Sequence, residues 1–155
     1  MGLGPLTWRN WLPLAWIFVF IVTATSLWGW STMHFMAVFF LVFAFFKLTD
    51  IRGFSMGYAD YDLLAMHWHG YGYVYPFLEL GFGTAMAAGY VPVWLLWTEF
   101  LIMTFSGLGV VRKMLRHELV PCVCLGTWLK LPLTNVTLVE NFGMAALALV
   151  LAFAK

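Results

Sequence analysis

The sequence predicts an all-α, polytopic integral membrane protein: a helical bundle of five transmembrane helices with one short interfacial helix. Three observations carry that class. Only 10% of the residues are charged and 63% are hydrophobic, at a mean hydropathy of +0.89. A soluble domain carries roughly 25% charged residues, so this chain lacks the charge to cover a water-facing surface. The apolar runs are also long and continuous. In lipid only helices and closed barrels satisfy every backbone group, and a barrel would need many short alternating strands. Third, one polar interval, 112–134, breaks the apolar second half and holds both cysteines, Cys122 and Cys124, beside the cations Arg112, Lys113 and Arg116. A net charge of +1 gives no footing to a nucleic-acid partner. The partners implied are the lipid bilayer and other membrane protein subunits.

Residues 1–10 are a short polar lead-in with one cation, Arg9. Residues 11–46 carry no charged side chain, which is too long for one span of about 20 residues. The break falls at Trp28-Gly29-Trp30-Ser31-Thr32, where tryptophans suit the headgroup level and a glycine suits the turn. Spans are expected at 11–27 and 32–48, the first retained and not cleaved as a signal peptide. Lys47, Asp50 and Arg52 end the second.

Phe54, Tyr58, Tyr61, Ala65 and Trp68 recur at helical spacing, which predicts a short interfacial helix over 53–68 with Asp60 and Asp62 on its solvated side. The tyrosine-rich run 69–75 reads as interfacial, and Pro76 suits the first turn of the next helix. Span three is expected at 73–90, with Gly81, Ala85 and Gly89 as a small-residue stripe for close helix approach. A turn at Tyr90-Val91-Pro92 leads to span four at 93–111. After the cysteine loop, Thr137 and Glu140 form a capping box for span five at 135–153. The Asn135-Val136-Thr137 sequon abuts the membrane and is discounted. The chain is a single transmembrane domain without internal repeats.

Five spans put the termini on opposite sides, and the Lys/Arg count in short loops sets which is which. With a cytoplasmic N-terminus, one side collects Arg9, Lys47, Arg52, Arg112, Lys113, Arg116 and Lys130 against Lys155 alone. The expected location is the cell's inner membrane, with the N-terminus, the His67/His69 segment and the cysteine loop facing the cytoplasm.

Cys122-Val123-Cys124 is a CxC pair after Pro121. In extended backbone, residues two apart point the same way, so both sulfurs can reach one target. The pair then either cycles between dithiol and disulfide or chelates a soft ion such as Cu(I). The plain alternative is two small apolar side chains in a membrane-proximal loop. His67 and His69, sharing a face on an extended segment, are candidate metal ligands beside the cysteines, with His117 on the same side. They also read as interfacial histidines facing headgroups. Glu99 sits near the middle of span four, where a carboxylate in hydrocarbon marks a functional site by default. Its roles would be proton relay, ion ligand, helix-to-helix glue or partner to His34. Glu79, near Pro76, reads as a structural carboxylate at a helix start.

Phe45-Phe46-Lys47-Leu48, Gly53-Phe54, Tyr61-Asp62, Tyr73-Val74-Tyr75-Pro76-Phe77-Leu78-Glu79-Leu80 with Gly81, Cys122-Val123-Cys124-Leu125-Gly126-Thr127 and Leu131-Pro132 follow one another in this order. The set resembles the MauE/DoxX-type redox-associated membrane proteins, named for methylamine utilisation, over about residues 33–153. The resemblance implies a four-helix DoxX-like core preceded by the first span as an addition. It also implies thiol-redox or metal handling by Cys122 and Cys124 for a partner protein, and some relatives are associated with heavy-metal-binding domains.

The expected function is therefore a multi-pass accessory protein with a thiol-redox or copper-type role through its CxC loop. A structural subunit of a larger membrane complex, without chemistry of its own, is the alternative. A small transporter using Glu99 and His34 has no evident pathway in five spans with one intramembrane acid.

Overall fold

The computed structural model describes residues 11–118, 121–123, 131–132 and 135–154. Six helices follow in chain order: α1 (Leu12–Trp28), α2 (Thr32–Thr49), α3 (Ile51–Ala59), α4 (His69–Ala87), α5 (Val93–Leu115) and α6 (Asn135–Phe153). Between α5 and α6 lie two-residue strands, β1 (Pro121–Cys122) and β2 (Leu131–Pro132). They pair antiparallel, with Cys122 opposite Leu131 and Pro121 opposite Pro132. Among the described residues the fold is all-helical apart from this minimal ladder. By length and composition, Thr32–Thr49 and Val93–Leu115 are able to cross a membrane, while Leu12–Trp28 and Thr137–Phe153 are shorter apolar helices.

Local chemistry sets most helix ends. Pro13 lies in the first turn of α1, where its missing N–H costs nothing. Ser31 caps α2 by accepting a hydrogen bond from the His34 N–H at 3.1 Å, and Asp50 caps α3 through the Gly53 N–H at 3.1 Å. At the end of α4, Gly89 adopts φ +75°. Its N–H donates to the Met86 carbonyl at 3.0 Å, and the Tyr90 N–H reaches back to Ala85 at 2.9 Å. That is the Schellman closure, and glycine is the residue that takes its left-handed position without strain. His117 takes the same position after α5 at φ 53°, although it carries a side chain.

The main seams are α2 against α4 and α5 against α6, with α3 on α4 and α1 on α2. Two glycines set how closely these layers approach. A Cβ on Gly83 would lie 2.9 Å from Leu41 Cγ, and one on Gly109 would lie 2.3 Å from the Tyr61 carbonyl oxygen. The second contact is with backbone, which cannot swing aside. The core between the seams is aromatic and includes Phe39, Phe40, Phe43, Phe54, Tyr58 and Tyr75.

Several expectations change here. The interfacial helix stops at Ala59, residues 60–68 are turns, and its buried face (Phe54, Ser55, Tyr58) packs on α4. Asp62 is buried, not solvated: its Oδ1 accepts the Leu64 and Ala65 N–H groups at 2.9 and 2.8 Å, closing the turn. Pro76 lies inside α4, which begins seven residues earlier at His69. The Gly81/Ala85/Gly89 stripe is not a seam among the described residues, since none of them lies within 4 Å of a Cβ on Gly81 or Gly89. The close approaches belong instead to Gly72, Gly83 and Gly109. Thr137 and Glu140 do not make a capping box, because α6 starts at Asn135 and the Glu140 carboxylate is engaged in the core.

These contacts make two glycine substitutions behave oppositely in thermal unfolding of detergent-solubilised protein. Gly109→Ala is expected to destabilise by about 1–3 kcal/mol through overpacking. Gly81→Ala, in an open helical position, is expected to stabilise by up to about 1 kcal/mol through helix propensity. A neutral Gly109→Ala would mean that α5 does not lie against the Tyr61–Asp62 backbone.

Candidate functional site

The chemistry-bearing centre of the fold is a buried cluster contributed by three helices. Lys47, in the last turn of α2, is 3% exposed and donates to Glu79 Oε1 of α4 at 2.6 Å. Its ammonium also lies 3.5 Å from Glu140 Oε1 of α6. The ring of Tyr75 is 5.0 Å from Nζ, Phe54 5.6 Å and Phe43 5.8 Å, so aromatic faces enclose the remaining side of the cation. Removing an ammonium from water costs several kcal/mol, which only close counter-charges and ring faces repay. The negative end of the α2 dipole works in the same direction.

A polar pocket adjoins the cluster. Tyr58 donates its hydroxyl to Ser106 Oγ at 3.1 Å, Tyr75 to Met103 Sδ at 3.7 Å, and Asn141 Nδ2 to the Thr137 carbonyl at 2.9 Å. Between Lys47, Tyr61, Ser106, Thr137 and Glu140 remains a cavity of about 10 Å³, the size of one water molecule. Burial holds the Tyr58 and Tyr61 hydroxyls well above the ordinary tyrosine range, so both stay neutral hydrogen-bonding groups. Burial also raises the Asp62 carboxyl, opposed by the Ala65 N–H.

Two carboxyls share one ammonium here, and Oε2 of both Glu79 and Glu140 lacks a hydrogen-bond partner among the described residues. With both ionised, the cluster carries one negative charge in excess, which a proton or a bound cation neutralises. The arrangement can therefore exchange a proton or hold a cationic group.

The expected site residues fall around this centre unevenly. Glu79 is not at a helix start; it sits mid-α4 as the closest partner of Lys47. Lys47 is no loop cation either, so it leaves the charge count that set the orientation. Glu99 is wholly buried on the α5 stripe that continues through Met103 and Ser106, and neither of its oxygens has a partner among the described residues. It does not meet His34, whose Nδ1 is 2.7 Å from the Gly29 carbonyl oxygen and whose ring stacks on Trp28. His67 and His69 are exposed and not on one extended segment. His67 ends a turn with Nδ1 2.9 Å from the Leu63 carbonyl oxygen, while His69 is the first residue of α4. Among the described residues, no group of three His, Cys, Asp or Glu side chains could hold a metal ion. Cys122 is placed by its backbone in β1, and Cys124 lies outside the described residues. Between them, Val123 is buried and fixes the segment to α3.

Lys47→Met strands two buried carboxylates and is expected to cost about 3–5 kcal/mol of stability. Replacing Lys47, Glu79 and Glu140 together by Met should recover most of that loss in the same unfolding assay. A triple variant as unstable as Lys47→Met would show that the cluster's hydrogen bonds, and not its unpaired charge, hold the helices.

Over residues 11–154 the chain matches the family model for Methylamine utilisation protein MauE. No match is found among curated proteins or solved structures. The matched region includes α1, so the first helix belongs to the common unit and is not an addition before a four-helix core. It also includes all three members of the buried cluster and both cysteines. With nearly its whole length inside that region, the chain belongs to the MauE family of membrane proteins.

Proposed function

We propose that this MauE-family membrane protein is an accessory factor of methylamine utilisation that spans the membrane five times and supplies dithiol chemistry to a partner protein through Cys122 and Cys124. The observation that carries the reading is the anchoring of the CxC segment. Val123 is buried, and its Cγ1 lies 2.5 Å from where α3 would carry a Cβ had Gly57 been any other residue. β1 is meanwhile tied to β2. A segment held against a helical core at Val123 can meet a partner at a defined place.

In the exchange itself, the two thiols give two electrons and two protons to a disulfide of the partner. An S–S bond forms between Cys122 and Cys124 as the partner's S–S bond opens to two thiols. The five spans are α1, α2, α4, α5 and α6. At 17 to 23 residues they match a hydrocarbon core about 30 Å thick. Each also presents an exposed aromatic ring suited to lipid: Trp16, Phe45, Phe77, Trp94 and Phe153. With Lys47 removed from the count, Arg9, Arg52, Arg112, Lys113, Arg116 and Lys130 still oppose Lys155, which keeps the cysteine loop cytoplasmic. The reducing cytoplasm makes the dithiol the resting form and the protein the electron donor.

The test is trapping in cells growing on methylamine. A Cys124→Ser variant is expected to accumulate a mixed disulfide with the partner, released by dithiothreitol. The double Cys122→Ser/Cys124→Ser variant should keep its unfolding temperature yet lose support of growth. Wild-type growth of the double variant would remove the cysteine chemistry and leave a structural subunit. Bound copper, lost on alkylating the thiols, would replace exchange by soft-metal handling.

A further inference from the structure

A second cavity, of about 500 Å³ and almost wholly apolar, opens between α1, α2 and α6. On α2 its wall runs from Phe35 to Phe43, and on α6 from Val139 to Leu147, about 12 Å of each helix. Leu14 and Phe18 of α1, with Trp11 just before that helix, form the third side. The cavity is thus a slot along the bundle, of a size usual for a small-molecule site. At the end formed by Trp11, Phe43 and Val139 stands its one carboxyl, Glu140, 8% exposed. Glu140 also lines the small polar cavity beside Lys47 and is the residue the two linings share.

We propose that this slot binds a single-chain amphiphile whose head is a protonated amine, with the head on Glu140 and the tail along α2 and α6. The slot itself selects for one apolar chain. The head follows from charge. Lys47 stands between two carboxyls and lies nearer Glu79, at 2.6 Å, than Glu140, at 3.5 Å. Glu140 Oε2 has no partner among the described residues. An ammonium placed there supplies the missing donor and cancels the excess negative charge. Trp11 and Phe43 line the same end of the slot. An alcohol would donate a hydrogen bond but leave the charge, and a carboxylate would add a second charge of the same sign.

Gly143 gives a clean test, because among the described residues nothing lies within 4 Å of a Cβ there and yet it lines the slot. A large side chain at this position fills the cavity one turn from Glu140. Gly81, equally open but on α4, is the matched control. The full chain in phosphatidylcholine nanodiscs would be titrated with octylamine, octanol and octanoate. Binding would be read by native mass spectrometry and by the shift in unfolding temperature. Octylamine is expected to bind one per chain, about tenfold or more tighter than octanol, with octanoate not retained. Gly143→Phe should abolish octylamine binding while its unfolding temperature without ligand stays near wild type, and Gly81→Phe should keep it. Glu140→Gln should bring octylamine down to the affinity of octanol. Equal binding of octanoate and octylamine would overturn the proposal and reduce the slot to an acyl-chain groove. Undiminished binding by Gly143→Phe would place the ligand elsewhere, with the same effect. The proposal is independent of Cys122 and Cys124, so the double-serine protein should bind octylamine like wild type.

Discussion

A single buried ammonium organises this molecule. Lys47 cannot stay charged inside an aromatic core without counter-charges, and the nearest two come from helices far away in sequence, Glu79 on α4 and Glu140 on α6. Satisfying it therefore brings α2, α4 and α6 together at one level of the bundle. Apolar packing alone would leave helices free to rotate about their axes, since one hydrocarbon face resembles another. An ion cluster with a 2.6 Å contact does not allow that freedom. In a chain so rich in interchangeable apolar side chains, the few charges supply the register.

Close approach makes the cluster attainable. α4 can bring Glu79 up to Lys47 because Gly83 lets it lie against Leu41 of α2. α5 reaches the Tyr61–Asp62 turn because Gly109 offers no side chain where the carbonyl of Tyr61 lies. Small residues thus act here as distance setters within the chain, at positions chosen by the charges they must bring together. The outward glycines Gly81 and Gly89 set no such distance, the first being open helix surface and the second a left-handed helix cap.

The helical class, the break between α1 and α2 and the start of α5 were legible in the sequence because they depend on local features: long uncharged runs, Gly29 between two tryptophans, and the turn at Pro92. The cluster was not legible, for a physical reason. Lys47 follows an apolar run and Glu140 follows Thr137, so local rules read them as a span end and a capping box. What reveals their true setting is the buried stripe they continue: Met36, Phe40, Phe43 and Lys47 on α2, and Thr137, Glu140, Met144 and Ala148 on α6. In helices apolar on every side, no periodic contrast marks which face is inward. Asp62 was misread in the same way, since a turn-closing carboxylate and a solvated one look alike in sequence. The motif resemblance held more information than the periodicity. Its segments contain Lys47, Phe54, Tyr61, Tyr75 and Glu79, which meet in one place.

That convergence bears on how the cysteine segment relates to the rest of the molecule. Val123 packs on Gly57 of α3, and the same helix carries Phe54, one turn earlier, over Lys47 and Tyr58, the next residue, against Ser106. The segment between the cysteines and the ion cluster are therefore separated by one short helix whose opposite ends of contact are both tightly packed. Contiguity of this kind does not by itself amount to signalling, which needs an element with two arrangements. It does mean that the loop cannot be treated as an appendage to an inert bundle. A side chain larger than glycine at position 57 would displace Val123 and lift the CxC segment, while leaving every charge in place. The geometry thus separates two properties that the family resemblance joins: where the cysteines are held, and what the buried charges do.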